Sequence, residues 1–174
     1  IWTGEGVTSD VTPSPDGRYL AFTDPATGDL AVRDLITGTS RRVTNTGDWV
    51  SEYGNAPVIS RDGRQVAYVW YIHKENKVEL RVASTTARVP ARPQVVLRTE
   101  LNDGAYKIAW MPDGKQLLVI RARPDLTGQI GTVTIQDGSF RNIKSLEWRK
   151  PNLLSLSPDG RYVAYDVPAG EAGS

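Results

Sequence analysis

The chain has no cysteine, a single histidine and no long apolar run, and each absence excludes a class of site or segment. Without cysteine there are no disulfides and no thiolate metal sites, although either a reducing or an oxidising compartment is possible. Because His73 is the only histidine, a metal site with two histidine ligands is excluded. No stretch approaches the roughly 20 apolar residues of a membrane helix. We therefore expect no membrane insertion.

An excess of charge of one sign is also missing. Twenty-one basic and twenty acidic residues give a net charge of +1, and no run of lysine or arginine exceeds two. A surface that follows a phosphate backbone needs a basic excess, so nucleic acid is not an expected partner. With 39% apolar and 24% charged residues, the 174-residue chain suits one globular domain. No window shows sustained helical periodicity, and at most one helical turn is predicted, over 48–53.

What the sequence does contain is one motif in four copies. The copies are 14–22 (SPDGRYLAF), 60–68 (SRDGRQVAY), 111–119 (MPDGKQLLV) and 157–165 (SPDGRYVAY). Their aspartates are 46, 51 and 46 residues apart, the period of an array with one four-stranded unit per repeat. Proline and aspartate favour a type I turn, and the glycine is predicted to have a positive φ that closes a hairpin with a bulge. The apolar run after each turn predicts a strand buried on both faces.

These residues resemble the PD40 repeat of TolB-type β-propellers, which is WD40-like and similar to repeats in tricorn-like and prolyl-oligopeptidase-like propellers. The segment 28–44 (GDLAVRDLITGTSRRVT) is similar to the outer hairpin of that family. There is no Gly-His and no Trp-Asp pair, so WD40 partner rules do not carry over. The resemblance implies an all-β fold, a β-propeller of four-stranded antiparallel blades, and a periplasmic or extracellular location in a bacterium.

About three and a half blades are expected within residues 1–167, with 168–174 a flexible tail or linker. The resemblance further implies that Ile1-Trp2 is a leading strand that completes the last blade. The predicted strands are 10–12, 18–23, 29–35 and 41–44 in blade one; 56–59, 65–72, 78–84 and 95–98 in blade two; 106–110, 116–121, 130–136 and 140–145 in blade three; and 152–156 and 161–167 in blade four. Closed propellers have four to eight blades. We therefore expect a fragment of a larger propeller, or a homodimer that closes the ring, with an open arc as the third possibility.

Because the strands of a blade alternate in direction, the Pro-Asp-Gly turns and outer Thr-Gly turns share one rim, the turn rim. The longer connections form the opposite, loop-rich rim: 24–29, 45–55, 73–77, 99–105, 122–128 and 146–151. Loops on a rigid scaffold usually carry binding, so the candidate site lies there. Its candidate residues are Trp49, Glu52, Tyr53, His73, Asn102, Asp103, Asp125, Trp148 and Arg149. Tryptophan beside charge is favoured at recognition surfaces, although Trp49 and Trp148 could instead cover the ends of the core.

No residue is assigned to catalysis, to a metal or to a cofactor. A catalytic histidine needs an orienting carboxylate and a nucleophile, and no Gly-x-Ser-x-Gly elbow is present, so His73 is interpreted as solvated. The repeated aspartates are interpreted as turn residues, because no dense calcium loop occurs. Tyr106 and Trp110, on an inner strand, are interpreted as core.

The leading hypothesis is a non-enzymatic binding module for a protein, peptide or small ligand, part of a longer bacterial extracytoplasmic protein. The alternative is a gating or substrate-selecting domain of a peptidase or lyase whose catalytic residues lie outside this chain, and a third is a self-assembling scaffold. Fold alone does not decide among them, because function depends on sites carried by a fold.

Overall fold

The computed structural model describes residues 11–87, 92–125, 127–146 and 151–166, and its elements are almost all strands. Blade one contains β1 (Val11–Pro13), β2 (Tyr19–Thr23), β3 (Leu30–Asp34) and β4 (Ser40–Arg42). Blade two contains β5 (Glu52–Ile59), β6 (Gln65–Ile72), β7 (Lys77–Ser84) and β8 (Gln94–Glu100). Blade three contains β9 (Ala105–Trp110), β10 (Gln116–Ala122), β11 (Gly128–Thr134) and β12 (Phe140–Leu146), and blade four contains β13 (Leu154–Leu156) and β14 (Val163–Tyr165). Each blade is an antiparallel sheet in chain order, as predicted.

The blades stack face to face because the buried strands alternate their side chains between two neighbours. On β6, Tyr68 and Trp70 face blade one, whereas Ala67 and Val69 face blade three. All residues from Val66 to Trp70 are at most 1% exposed, which confirms a strand buried on both faces. A third apolar cluster, around Ile120, joins blade three to blade four. The predicted β-propeller of about three and a half blades is therefore confirmed.

The repeated motif forms the turn that its sequence predicts. In the first copy, the Gly17 N–H donates to the Ser14 carbonyl at 2.8 Å, and the Arg18 N–H donates to the Asp16 carboxylate at 3.0 Å. The glycine φ angles are 70°, 72°, 65° and 73° in the four copies, so the predicted positive φ is confirmed. The serine that opens the motif has a structural role that its sequence position does not predict. Its hydroxyl donates to Asp16 at 2.5 Å and accepts the Tyr19 N–H at 2.8 Å, which locks the turn.

Strand β5 begins earlier than predicted, at Glu52 instead of Ala56. The pairing of β5 with β6 is interrupted between Asn55 and Val58, where Ala56 has a φ of 48° and Pro57 has no N–H to donate. The alternation of apolar and polar residues is interrupted at this bulge, but β5 pairs with β6 on both sides of it. Glu52 and Tyr53, which were assigned to a loop, therefore lie in a strand.

Two connections on the loop-rich rim contain short helices that were not predicted. One-turn 3-10 helices occupy His73–Glu75 and Leu101–Asp103. The helical turn predicted over 48–53 is wrong, because the φ of Trp49 is 61° and β5 already starts at Glu52. A right-handed helical turn requires a negative φ.

Several predictions fall on residues outside the described ranges. They concern the strand at Ile1-Trp2, the tail at 168–174, and the candidate site residues Trp148 and Arg149. Within the described ranges, no helix has the length and apolar character needed to span a bilayer.

Candidate functional site

Four rings meet on the loop-rich rim, where β5 begins and β6 ends. Tyr53 and Tyr71 are direct partners across these strands, and their ring centroids lie 5.1 Å apart. His73 follows Tyr71 and stacks on it at 6.2 Å with an interplanar angle of 13°, while its ring is 5.5 Å from that of Tyr53. Trp49 lies on the other side of Tyr53 at 4.9 Å. We call Trp49, Tyr53, Tyr71 and His73 the aromatic cluster.

The loop that carries Trp49 is held by hydrogen bonds. One oxygen of the Asp48 carboxylate accepts the N–H groups of Val50, Ser51 and Glu52 at 3.0, 2.6 and 3.1 Å. These donors favour the charged carboxylate and lower the pKa of Asp48 to about 2. The Trp49 indole N–H donates to the Pro25 carbonyl at 2.8 Å, which ties this loop to blade one. Trp49 is nevertheless 39% exposed, so it offers a fixed surface.

Beside the cluster, a cleft of about 620 Å³ opens between blades two and three. We call it the aromatic cleft. Tyr53, Tyr71 and His73 form one side, and other lining residues include Val78, Leu101, Asn102, Gly104, Tyr106 and Arg123. Gly104 lets the chain pass close to the buried Val78, because a Cβ at this position would collide with the valine side chain. Burial raises the pKa of the Tyr106 phenol well above its usual value, so the phenol is neutral near pH 7.

Some of the predicted site residues lie together at the aromatic cleft, whereas others form contacts within the protein. Tyr53, His73 and Asn102 line the aromatic cleft, and Trp49 adjoins it. The Glu52 carboxylate instead accepts the indole N–H of the buried Trp70 at 2.8 Å. A sequence pattern does not reveal this contact, because it depends on the pairing of β5 with β6.

Two other predicted carboxylates are held by partners elsewhere in blade three, one on strand β10 and one within the same loop. Asp103 binds the Arg121 guanidinium through two hydrogen bonds of 3.0 and 2.7 Å. Asp125 accepts the backbone N–H and the hydroxyl of Thr127 at 3.0 and 2.6 Å. Both carboxylates therefore shape the rim, and their principal contacts are with the chain itself.

Three residues that line the cleft are not among the predicted site residues. Tyr71 was placed within a strand without a role, Tyr106 was assigned to the core, and Arg123 was not singled out. Tyr106 packs against the apolar cluster around Ile120, in agreement with its assignment to the core, and it also lines the cleft. Trp110 is half-buried, packs against the core between blades two and three, and donates its indole N–H to the Val58 carbonyl at 2.9 Å. The alternation that places Tyr71 and His73 on one side of β6 was the available signal.

The surroundings of His73 and of the acidic side chains bear on whether the cleft could hold a general base or a metal ion. In the described part of the chain, the His73 ring stacks on Tyr71 and is tilted against Tyr53, but it takes part in no side-chain hydrogen bond or ion pair. A general base would need such an orienting partner. No group of three or more histidine, aspartate or glutamate side chains that could hold a metal ion occurs among the described residues.

Comparison with known proteins shows similarity to TolB. No protein-family model matches the chain. A TolB homolog from Chlorobium chlorochromatii (strain CaD3) is 30% identical over an alignment of 117 residues that covers 63% of this chain and 22% of the relative. The chain thus spans less than a quarter of that relative's length.

Solved structures share the fold. A TolB-like structure from Agrobacterium tumefaciens matches with a TM-score of 0.68 at 16% identity, over 94% of this chain and 61% of the other. Dipeptidyl peptidase 4 from Porphyromonas gingivalis also matches with a TM-score of 0.68 at 16% identity, over 94% of this chain and 29% of the other. At these identities the likeness concerns the fold alone.

Proposed function

Because the chain has the TolB-type β-propeller fold, we propose that it is a non-enzymatic binding module that recognises a protein or peptide segment in the aromatic cleft. The observation that supports this proposal is the row of stacked rings, Tyr53, Tyr71 and His73, along one side of an open cleft on the loop-rich rim. Aromatic side chains offer large contact areas with little entropy to lose, and Tyr, Trp and Arg dominate binding hot spots.

The loop beside the cleft is also preorganised for binding. The hydrogen bonds of Asp48 and of the Trp49 indole hold the loop beside it, so little loop ordering remains for binding. Asn102 and the exposed Arg123 supply polar groups next to the apolar lining. This combination suits an extended segment with apolar or aromatic side chains and at least one polar or acidic group.

The alternative proposal is a gating or substrate-selecting domain whose catalytic residues lie outside this chain. Its support is the likeness in fold to dipeptidyl peptidase 4, which concerns most of this chain but less than a third of the peptidase. The sequence of the complete gene distinguishes the two proposals, because a gating propeller requires a fused or adjacent catalytic domain. A periplasmic or extracellular location within a longer bacterial protein is part of the leading proposal.

Selection from a random-peptide display library on the purified chain tests the leading proposal. We expect the selected peptides to bind the His73→Ala and Tyr71→Ala variants at least about tenfold more weakly than the unchanged chain, which is the loss typical of hot-spot residues. His73 is exposed, so its variant should keep the melting temperature of the unchanged chain.

Tyr162→Ala provides the matched control, because Tyr162 is a 67% exposed tyrosine in the turn of blade four, on the opposite rim. Its affinity for the selected peptides should be unchanged. Peptides that bind all three variants as well as the unchanged chain would show that the aromatic cleft is not the site.

A further inference from the structure

A second cleft, of about 720 Å³, lies between blades one and two. It arises because β4 has three residues, whereas β7 and β8 of the next blade have eight and seven. The inner part of the face that blade two presents to blade one is covered, so Tyr68 and Trp70 are fully buried. The outer part of the same face extends beyond β4 and lines the cleft.

This outer part carries charged groups in register. Trp70, Glu79 and Arg98 form one row across β6, β7 and β8. The two oxygens of the Glu79 carboxylate each accept one guanidinium N–H, from Arg81 at 2.6 Å and from Arg98 at 2.7 Å. Glu79 is only 3% exposed, so its charge requires this pairing. Both arginines use their Nε atoms for Glu79.

The cleft is lined by more guanidinium than carboxylate groups. We call Arg81, Arg92, Arg98, Glu52 and Glu79 the arginine cleft; three cations face two anions. The charge of Glu79 is compensated by its ion pairs with Arg81 and Arg98. The Glu52 carboxylate accepts hydrogen bonds from Trp70 and from Lys74. Arg98 also pairs with Glu75 at 3.1 Å. Arg92 is exposed and forms no hydrogen bond or ion pair with any other described residue.

We infer that the arginine cleft is a second binding site, for a carboxylate group such as the side chain of an acidic peptide. Arg92 supplies a planar guanidinium that pairs with no other described residue, and a guanidinium binds a carboxylate through two parallel hydrogen bonds. Val95, which is 48% exposed in the same cleft, can contact the methylene groups next to that carboxylate.

A carboxylate fits this cleft better than a phosphate does. The surplus of one positive charge among the five lining groups matches one negative charge. A phosphate monoester carries about −1.5 to −2 at pH 7 and would face the carboxylates of Glu52 and Glu79 without enough cations to compensate. The inference does not depend on the aromatic cleft, because the two clefts lie on opposite faces of blade two.

Titration of the intact chain with N-acetylglutamate N-methylamide, followed by NMR through the arginine Nε–H signals, tests the inference. N-acetylglutamine N-methylamide is the neutral probe of the same shape, and inorganic phosphate is the third probe. We expect the glutamate probe to shift the signals of Arg92 and Arg98 with a millimolar Kd that weakens as salt is added. The glutamine probe should leave these signals unmoved, and phosphate should bind more weakly.

The Arg92→Gln variant should bind the glutamate probe about tenfold more weakly, since it removes a charge-assisted pair. Arg64→Gln is the matched control, because Arg64 is an exposed arginine beside the turn of the second repeat and lies outside the cleft. Equal shifts with the glutamine probe, tighter binding of phosphate, or an unchanged Kd in Arg92→Gln would each overturn the inference. The fold of each variant can be verified independently from its melting curve.

Discussion

At the scale of the residue, the glycines of the repeated turn are constrained in two ways, by a positive φ and by close packing, and the two constraints do not apply equally to every copy. Gly17 and Gly160 have φ angles of 70° and 73°. A Cβ added at Gly17 would meet nothing within 4 Å, whereas one at Gly160 would lie 2.7 Å from Pro112 Cγ. At Gly17, glycine is therefore favoured only because of the backbone conformation. At Gly160, glycine is also required because blade three approaches closely.

We expect Gly17→Val to lower the free energy of unfolding by about 1–3 kcal/mol, because a β-branched residue is strained at positive φ. Gly160→Val should cost more, since Pro112 must also move. Gly17→Asn is the control, because asparagine tolerates the left-handed region. Urea unfolding curves measure all three. An unchanged midpoint in both valine variants would contradict the bulged turn.

Asp48 makes stability depend on pH in a defined window. Its folded-state pKa is about 2, below the ordinary value of 3.8, so its contribution is complete above pH 4 and is lost as the pH falls through about 2. We expect Asp48→Asn to melt at a lower temperature than the unchanged chain at pH 6. The difference should shrink between pH 4 and pH 2. A difference that is constant over this range would show that the carboxylate charge does not hold the loop.

At the scale of the element, Trp70 on β6 connects its strand to β5 and β7 and packs between two blades. It is fully buried in the core between blades one and two, its indole N–H donates to Glu52 at the start of β5, and the Arg81 guanidinium lies 4.9 Å from its ring centroid. The sequence analysis assigned no role to Trp70. Its importance follows from contacts that exist only once β5, β6 and β7 are paired.

We expect Trp70→Ala to cost about 3–5 kcal/mol, the usual range for removing a large buried aromatic side chain. Trp70→Phe keeps most of the apolar contact but leaves the half-buried Glu52 carboxylate without its indole donor, at a cost of about 1–3 kcal/mol. Trp110→Phe is the comparison, because that indole is half-buried and donates to a neutral carbonyl. Chemical denaturation gives these values. Equal losses of unfolding free energy in the two phenylalanine variants would show that the hydrogen bond to the Glu52 carboxylate contributes no more than the one to the Val58 carbonyl.

The sequence predicts strands well where a motif marks their start, and poorly where pairing sets their limits. β2, β6 and β10 follow the repeated turn and lie within one residue of their predicted bounds, whereas β14, after the fourth copy, begins at Val163 and not at the predicted Arg161. The early start of β5 was missed because the bulge at Ala56 and Pro57 interrupts the alternation. For the same reason Tyr53 was predicted as a loop residue. Its partner Tyr71 was not singled out, because the pairing of Tyr53 with Tyr71 depends on this early start of β5. Arg123 was missed because the cleft exists only after blades two and three stack.

At the scale of the whole molecule, blade four differs from the others. Within the described residues, β14 pairs only with β13, so the backbone groups on its other edge have no strand partner. In blades one to three the second strand is covered by a third. An uncovered edge of this kind recruits strands, either from another copy or from further blades of a longer chain.

We therefore expect the 174-residue chain to self-associate, and light scattering across a concentration series to show a mass that rises with concentration. Ala164→Lys places a charge on the exposed side of β14 and should reduce association. Thr86→Lys, at an exposed turn of blade two, should not. A chain that stays monomeric and melts cooperatively at all concentrations would contradict pairing at this edge.

The serine lock of the repeated turn also bears on the order of folding. In the first, second and fourth copies all of its bonds fall within six consecutive residues, so the hairpin closes over a short loop, within microseconds. Stacking one blade on the next joins residues a full repeat apart and must come later. Methionine replaces serine in the third copy, at Met111, so the β9–β10 hairpin lacks this early lock. We expect Ser14→Ala and Ser60→Ala to slow refolding in stopped-flow experiments, whereas Leu30→Ala, between the blades, should chiefly speed unfolding.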